Sequence, residues 1–146
     1  MRSTRPHTAL SPPQPGPPAV PPRLICEAVP ESVRAVRRYV REAVAYQEPG
    51  VPPETLDTVE LLASELATNA VRYGTEPGDS LQVVVDAGPG KCRIEVHDTR
   101  RKRPRVRPPS NERSRGRGLH LVDLLAESWG TDDREFGKIV WMVVAW

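Results

Sequence analysis

The sequence predicts an α+β sandwich of two layers, a mixed but mainly antiparallel sheet covered on one face by three helices. Three stretches carry that expectation. Val59, Leu62, Ala63, Leu66, Ala70 and Tyr73 recur at the spacing of a helix that buries one stripe. Leu81, Val83 and Val85, then Cys92, Ile94 and Val96, alternate on either side of Ala87-Gly88-Pro89-Gly90, as the two arms of an antiparallel hairpin do. Residues 138 to 146 are apolar on both faces, which predicts a strand inside the sheet.

Composition sets the limits. A chain of 146 residues suits one compact domain, and its 17 prolines and charged stretches confine the core to a shorter region. Residues 1–22, with Pro12-Pro13, Pro17-Pro18 and Pro21-Pro22, read as a disordered or polyproline-like tail. They lack the apolar segment of a secretory signal, and no apolar run is long enough to span a membrane, so the expected location is the cytoplasm. Cys26 and Cys92 are too few for a disulfide framework or a zinc site and read as buried thiols. The net charge of +2 hides an asymmetry, because residues 100–117 hold nine basic side chains against Glu112 alone. That concentration points to one local anionic partner.

The folded part, residues 23–146, begins with Leu24 to Val29, an edge strand ending at Pro30. Residues 31–46 place Val33, Val36, Val40, Ala43 and Val44 at helical spacing, with Arg34, Arg37, Arg38 and Arg41 on a solvated face. A turn over 47–53 leads into a helix from Glu54 to Gly74, where Gly74 suits a C-terminal cap. After a loop at 75–79 comes the hairpin, then a proline-interrupted basic segment. Ser114 to Gly118 forms a glycine-flexible turn that feeds an apolar helix through Ala126. A short strand at Trp129-Gly130-Thr131, a polar turn over 132–137 and the last strand complete the order.

Polar residues break the pattern at a few places. Glu65 and Asn69 lie about 40° apart on the long helix, beside its buried stripe. Such a pair is ordinarily solvated or locally bonded, and chemistry requires partners elsewhere. Asp98 continues the apolar stripe of Cys92, Ile94 and Val96, so it is either a carboxylate with a buried partner or a turn residue past the strand end. Gly116 and Gly118 precede a helix start, where free N–H groups favour an anion, although many such turns only connect elements.

Together these residues resemble a family. Glu65-Leu66-Ala67-Thr68-Asn69-Ala70 is similar to the N-box of the GHKL ATPases, the superfamily that includes gyrases and histidine kinases, and Gly116-Arg117-Gly118-Leu119 resembles its second glycine box. Within it, the chain is most similar to the anti-sigma factor serine kinases of the SpoIIAB and RsbW type, in a short form with a GRGLxLV box and a final GKxVW strand. The resemblance covers residues 23–146 and implies the Bergerat fold of that superfamily. It also implies ATP and Mg²⁺ as cofactors, with Asn69 as metal ligand through its amide oxygen and Glu65 as the catalytic residue that orients or deprotonates the attacking hydroxyl. Asp98 takes the place of the adenine-binding aspartate. Arg115, Gly116, Arg117, Gly118 and Leu119 belong to the phosphate cradle, and 100–117 to a basic lid.

One position departs from the family. Its first glycine box reads DxGxG, whereas this chain has Asp98-Thr99-Arg100-Arg101-Lys102, with cations in place of both glycines. The resemblance implies a kinase that phosphorylates an anti-anti-sigma protein on serine, sequesters a sigma factor, or does both; homodimerisation is left open. The alternatives are a module of the same fold that acts by sequestration without turnover, and a nucleic-acid binder using the arginine run. The second ranks lower because no aromatic residues interleave the arginines for base stacking. Walker A, HRD and DFG patterns are absent from the sequence, which excludes those phosphoryl-transfer designs.

Overall fold

The computed structural model describes residues 22–99 and 119–146, together with Pro13. The tail expected at 1–22 and the basic lid expected at 100–117 therefore lie almost wholly outside the described residues. Along the chain come β1 (Arg23–Glu27), α1 (Ser32–Gln47), α2 (Pro53–Asn69) continued by a π-helical turn (Ala70–Gly74), β2 (Ser80–Gly88), β3 (Lys91–Thr99), α3 (His120–Leu125), β4 (Ser128–Arg134) and β5 (Gly137–Ala145). The strands form one sheet in the order β1-β2-β3-β5-β4, with every neighbouring pair antiparallel. The sheet is thus more uniform than the mixed one expected. β5 is internal and β1 is an edge strand, as the hydropathy of each predicts.

Alternation along the strands sorts side chains between two faces. Leu81, Val83, Cys92, Ile94, Val96, Val140 and Met142 are buried on the inner face, where Val36, Val40, Val44, Leu62 and Leu66 of α1 and α2 meet them. Each such side chain contributes about 1.5–3 kcal/mol by leaving water. Tyr39, which the valine pattern of α1 did not single out, is also buried. Burial pushes the Cys92 thiol up to about 11. Cys26 is only partly buried, contrary to expectation, because it lies on the edge strand.

Side chains extend the backbone pairing. β1 pairs with Ser80 to Val84 of β2. Beyond its end the Gln47 amide donates to the Val85 carbonyl at 3.0 Å and accepts from the Ala87 N–H at 2.7 Å. On the helical layer Arg41 bridges α1 to α2 by bonds to Asp57 (2.8 Å) and Glu60 (3.0 Å).

Other expectations are corrected. The long helix does not run to a glycine cap, since its last turn is π-helical and Gly74 lacks the positive φ of such a cap. The wider turn shifts the buried stripe from Tyr73, which is exposed, to Gly74. β4 continues through Asp132, Asp133 and Arg134, so the turn shrinks to Glu135 and Phe136; an edge strand with one solvated side accommodates those charges. α3 has six residues and buries Val122, while Leu124 remains 76% exposed. Among the described residues no helix is long and apolar enough to cross a membrane.

Candidate functional site

Asp98 is the last inner-face position of β3, and the strand runs past it to Thr99. Its carboxylate is therefore buried, with the residue only 2% exposed. Of the two readings open from the sequence, the strand position with a buried partner holds. The partner is backbone: the Lys138 N–H donates to Asp98 Oδ1 at 2.8 Å from the start of β5. Two glycines bring main chain close on other sides. A Cβ on Gly74 would stand 2.5 Å from Asp98 Oδ2, and one on Gly137 would overlap the Asp98 carbonyl oxygen and Oδ1. Gly137 has a φ of +140°, which only glycine adopts readily.

Gly74 joins this carboxylate to the long helix. Asn69 is the final residue of α2, and the single π-helical turn separates it from the contact with Asp98. Asn69 is 4% exposed, and its Oδ1 has no hydrogen-bond partner among the described residues. A buried acceptor left unsatisfied costs about 1–3 kcal/mol, so the position is suited to an external donor or cation. Glu65, one helical turn earlier, is partly exposed at the margin of the core. The neighbouring Tyr73 presents its ring to solvent with 38% exposure.

Leu119 is buried at 3% exposure, and its carbonyl accepts the Asp123 N–H at 2.9 Å as α3 begins. This anchors the chain on the helical layer where the second glycine box ends. Arg115, Gly116, Arg117 and Gly118, the other expected cradle residues, lie outside the described residues. The structure thus sets Gly74 against Asp98, with Asn69 one π-helical turn earlier and Glu65 a further helical turn back along the same helix.

Behind Asp98, on the opposite face of β3, runs a polar chain that sequence reasoning did not identify. Arg134 donates to His97 Nδ1 at 2.7 Å, and because a guanidinium only donates, the ring proton lies on Nε2 and is given to Glu95 Oε1 at 2.9 Å. Arg93 donates to the other Glu95 oxygen at 2.9 Å and lies 4.5 Å from the centroid of Trp141. Burial opposes ionisation of Glu95, but the bonds from His97 and Arg93 outweigh it and hold the carboxyl below its ordinary range. Gly130 leaves space for the Trp141 ring, which a Cβ would approach to 2.7 Å.

Gly74, Gly137 and the Lys138 amide also escaped the sequence reading as site elements. A glycine at the entrance of a strand after Glu135-Phe136 was a visible turn signal. Its proximity to Asp98 depends on β5 lying next to β3, which is a matter of sheet order.

The donor set fits a nucleotide with a hard cation. Asn69 offers a buried amide oxygen, the ligand type Mg²⁺ accepts alongside phosphate oxygens and water. Among the described residues no group of three or more His, Cys, Asp or Glu side chains could hold a metal by itself.

Comparison with solved structures finds the histidine kinase domain from Erythrobacter litoralis EL346 blue-light activated histidine kinase, at 23% identity and a TM-score of 0.48, covering 77% of this chain and 60% of that one. A structure of the Erythrobacter litoralis EL346 blue-light activated histidine kinase matches at 23% identity and a TM-score of 0.49, covering 75% of this chain and 41% of that one. The chain thus spans less than two thirds of the length of either. No curated protein matches. The family model described as the histidine kinase-like ATPase domain matches residues 26–144, and the chain belongs to that family.

Proposed function

We propose that this protein is an ATP- and Mg²⁺-dependent regulatory protein serine kinase of the anti-sigma type, which phosphorylates an anti-anti-sigma partner on serine, sequesters a sigma factor, or does both. The observation that carries the nucleotide part is a buried Asp98 carboxylate, held by the Lys138 N–H and met by Gly74, on a fold whose long helix carries the unsatisfied Asn69 amide oxygen one π-helical turn before that glycine.

Each residue then has a defined task. Asp98 accepts a hydrogen bond from the amino group of the adenine, a charge-assisted bond worth about 1.5–3 kcal/mol. Asn69 would hold the cation through Oδ1, and the cation would supply neutralising charge at the phosphate oxygens. Glu65, partly exposed one turn away, orients the partner's serine hydroxyl and takes its proton as the oxygen attacks the γ-phosphorus and ADP leaves. The basic side chains of 100–117 supply cations for the phosphate end, in keeping with Arg100 and Lys102 standing in place of the two glycines after Asp98.

Incubation with labelled ATP, Mg²⁺ and candidate anti-anti-sigma proteins tests this reading. Transfer to serine is the expected result. Glu65→Ala should abolish transfer and retain ATP affinity, whereas Asn69→Ala should lose both. Equal, mild effects of the two substitutions would sink the assigned roles. The basic run in place of the DxGxG glycines favours a second reading, a sequestering module without turnover; ATP binding with no transfer to any partner would establish it.

A further inference from the structure

We propose that Gly74, Gly137 and the Lys138 amide act as a clamp that sets the orientation of the Asp98 carboxylate, and that this clamp gives the site its preference for a base bearing an exocyclic amino group. The inference rests on Asp98 being the base contact, and it assigns positioning residues to that contact.

The terminal torsion of an aspartate is broad and roughly two-fold, so a carboxylate at a strand end ordinarily samples a wide range of orientations. A loosely held carboxylate can accept from an amino group, but it can also turn away from a keto oxygen at the same position and discriminates poorly. Discrimination requires a fixed acceptor, because only then is the wrong group forced against it. Here the carboxylate plane is fixed from three directions. Lys138 N–H holds Oδ1 at 2.8 Å. The Gly74 main chain approaches Oδ2 so closely that a Cβ would lie 2.5 Å away. Gly137, held at a φ of +140°, approaches both Oδ1 and the Asp98 carbonyl with no room for a side chain.

Those three contacts come from separate parts of the fold. Gly74 closes the π-helical turn after α2, while Gly137 and Lys138 open β5 beyond the two-residue turn from β4. None of the three needs to touch the base. They act through Asp98 and set its direction.

The test compares ATP with inosine triphosphate, which differs from it at C6 by an oxo group in place of the amino group. Calorimetric affinities of the full chain should favour ATP by at least about tenfold, and Asp98→Ala should remove that preference. Gly137→Ala should bring the two affinities within about twofold of each other by lowering that for ATP, and adding it to Asp98→Ala should change nothing further. Equal weakening of both ligands by Gly137→Ala would show a merely structural glycine and overturn the proposal. If Gly137→Ala does not fold, Gly74→Ala crowds the same carboxylate from the helix side and is read by the same ratio.

The ligand-free protein supplies an independent measurement. Exchange of the Lys138 amide proton should be at least about tenfold faster in Asp98→Ala than in the parent; equal rates would overturn the clamp whatever the ligands do. A parent protein that binds neither triphosphate would refute the nucleotide reading, and the amide measurement would then judge the clamp by itself.

Discussion

Asp98 and Asn69 are both buried polar side chains, and they differ at one oxygen each. Asp98 has its backbone partner, whereas the Asn69 amide oxygen has none among the described residues. Substitutions should therefore separate stability from binding. Asp98→Asn is expected to weaken ATP binding by roughly tenfold or more, measured by calorimetry, because it replaces a charge-assisted bond with a neutral one. Asn69→Ala should not lower the melting temperature of the ligand-free protein, since it removes an unsatisfied acceptor, yet it should abolish the additional stabilisation given by ATP with Mg²⁺. Glu95 governs a different observable. Its folded pKa is depressed, so its contribution to stability is complete above the ordinary carboxylate pKa and is lost as pH falls through the lower folded value. Glu95→Gln should flatten the acid-side decline of stability, followed by urea unfolding between about pH 5 and 3, and leave the neutral-pH nucleotide affinity unchanged.

At the scale of elements, the π-helical turn decides which residues reach the site. Thr75 Oγ1 donates within it to the carbonyls of Ala70 and Val71, both at 3.2 Å. Gln47 is the corresponding device at the sheet edge. Gln47→Ala should cost about 1–3 kcal/mol of unfolding free energy, two hydrogen bonds at about 0.5–1.5 kcal/mol each, without altering nucleotide preference. The two devices differ in how readable they were. The apolar period from Val59 to Ala70 identified the helix, but it continued formally through Tyr73 and gave no sign of a wider turn. Likewise the valines of α1 located its buried face, whereas nothing in the residue pattern matched Gln47 to Val85 and Ala87, about forty positions away. Local periodicity reports burial; contacts between distant segments depend on how the layers pack.

The whole molecule couples these parts through one core, so ligand binding should stabilise all of it. At a nucleotide concentration 100 times the dissociation constant, the expected gain is about 2.7 kcal/mol, visible as a rise in melting temperature with ATP and Mg²⁺. The sequence by itself determined the class of fold: helical and alternating periods, a doubly apolar last strand and the placement of Glu65, Asn69 and Asp98 are all local properties of the chain. It also determined the family resemblance, because the motif residues occur in short contiguous runs. Only the tertiary structure decided that β5 lies between β3 and β4, that the sheet is antiparallel throughout its described strands, and that Lys138 and two glycines converge on Asp98. The physical reason is that side-chain period assigns a face to each strand but no neighbour, and a backbone N–H carries no residue-specific signal. What holds Asp98 is main chain brought close by packing, and that proximity exists only once the helices and sheet have met.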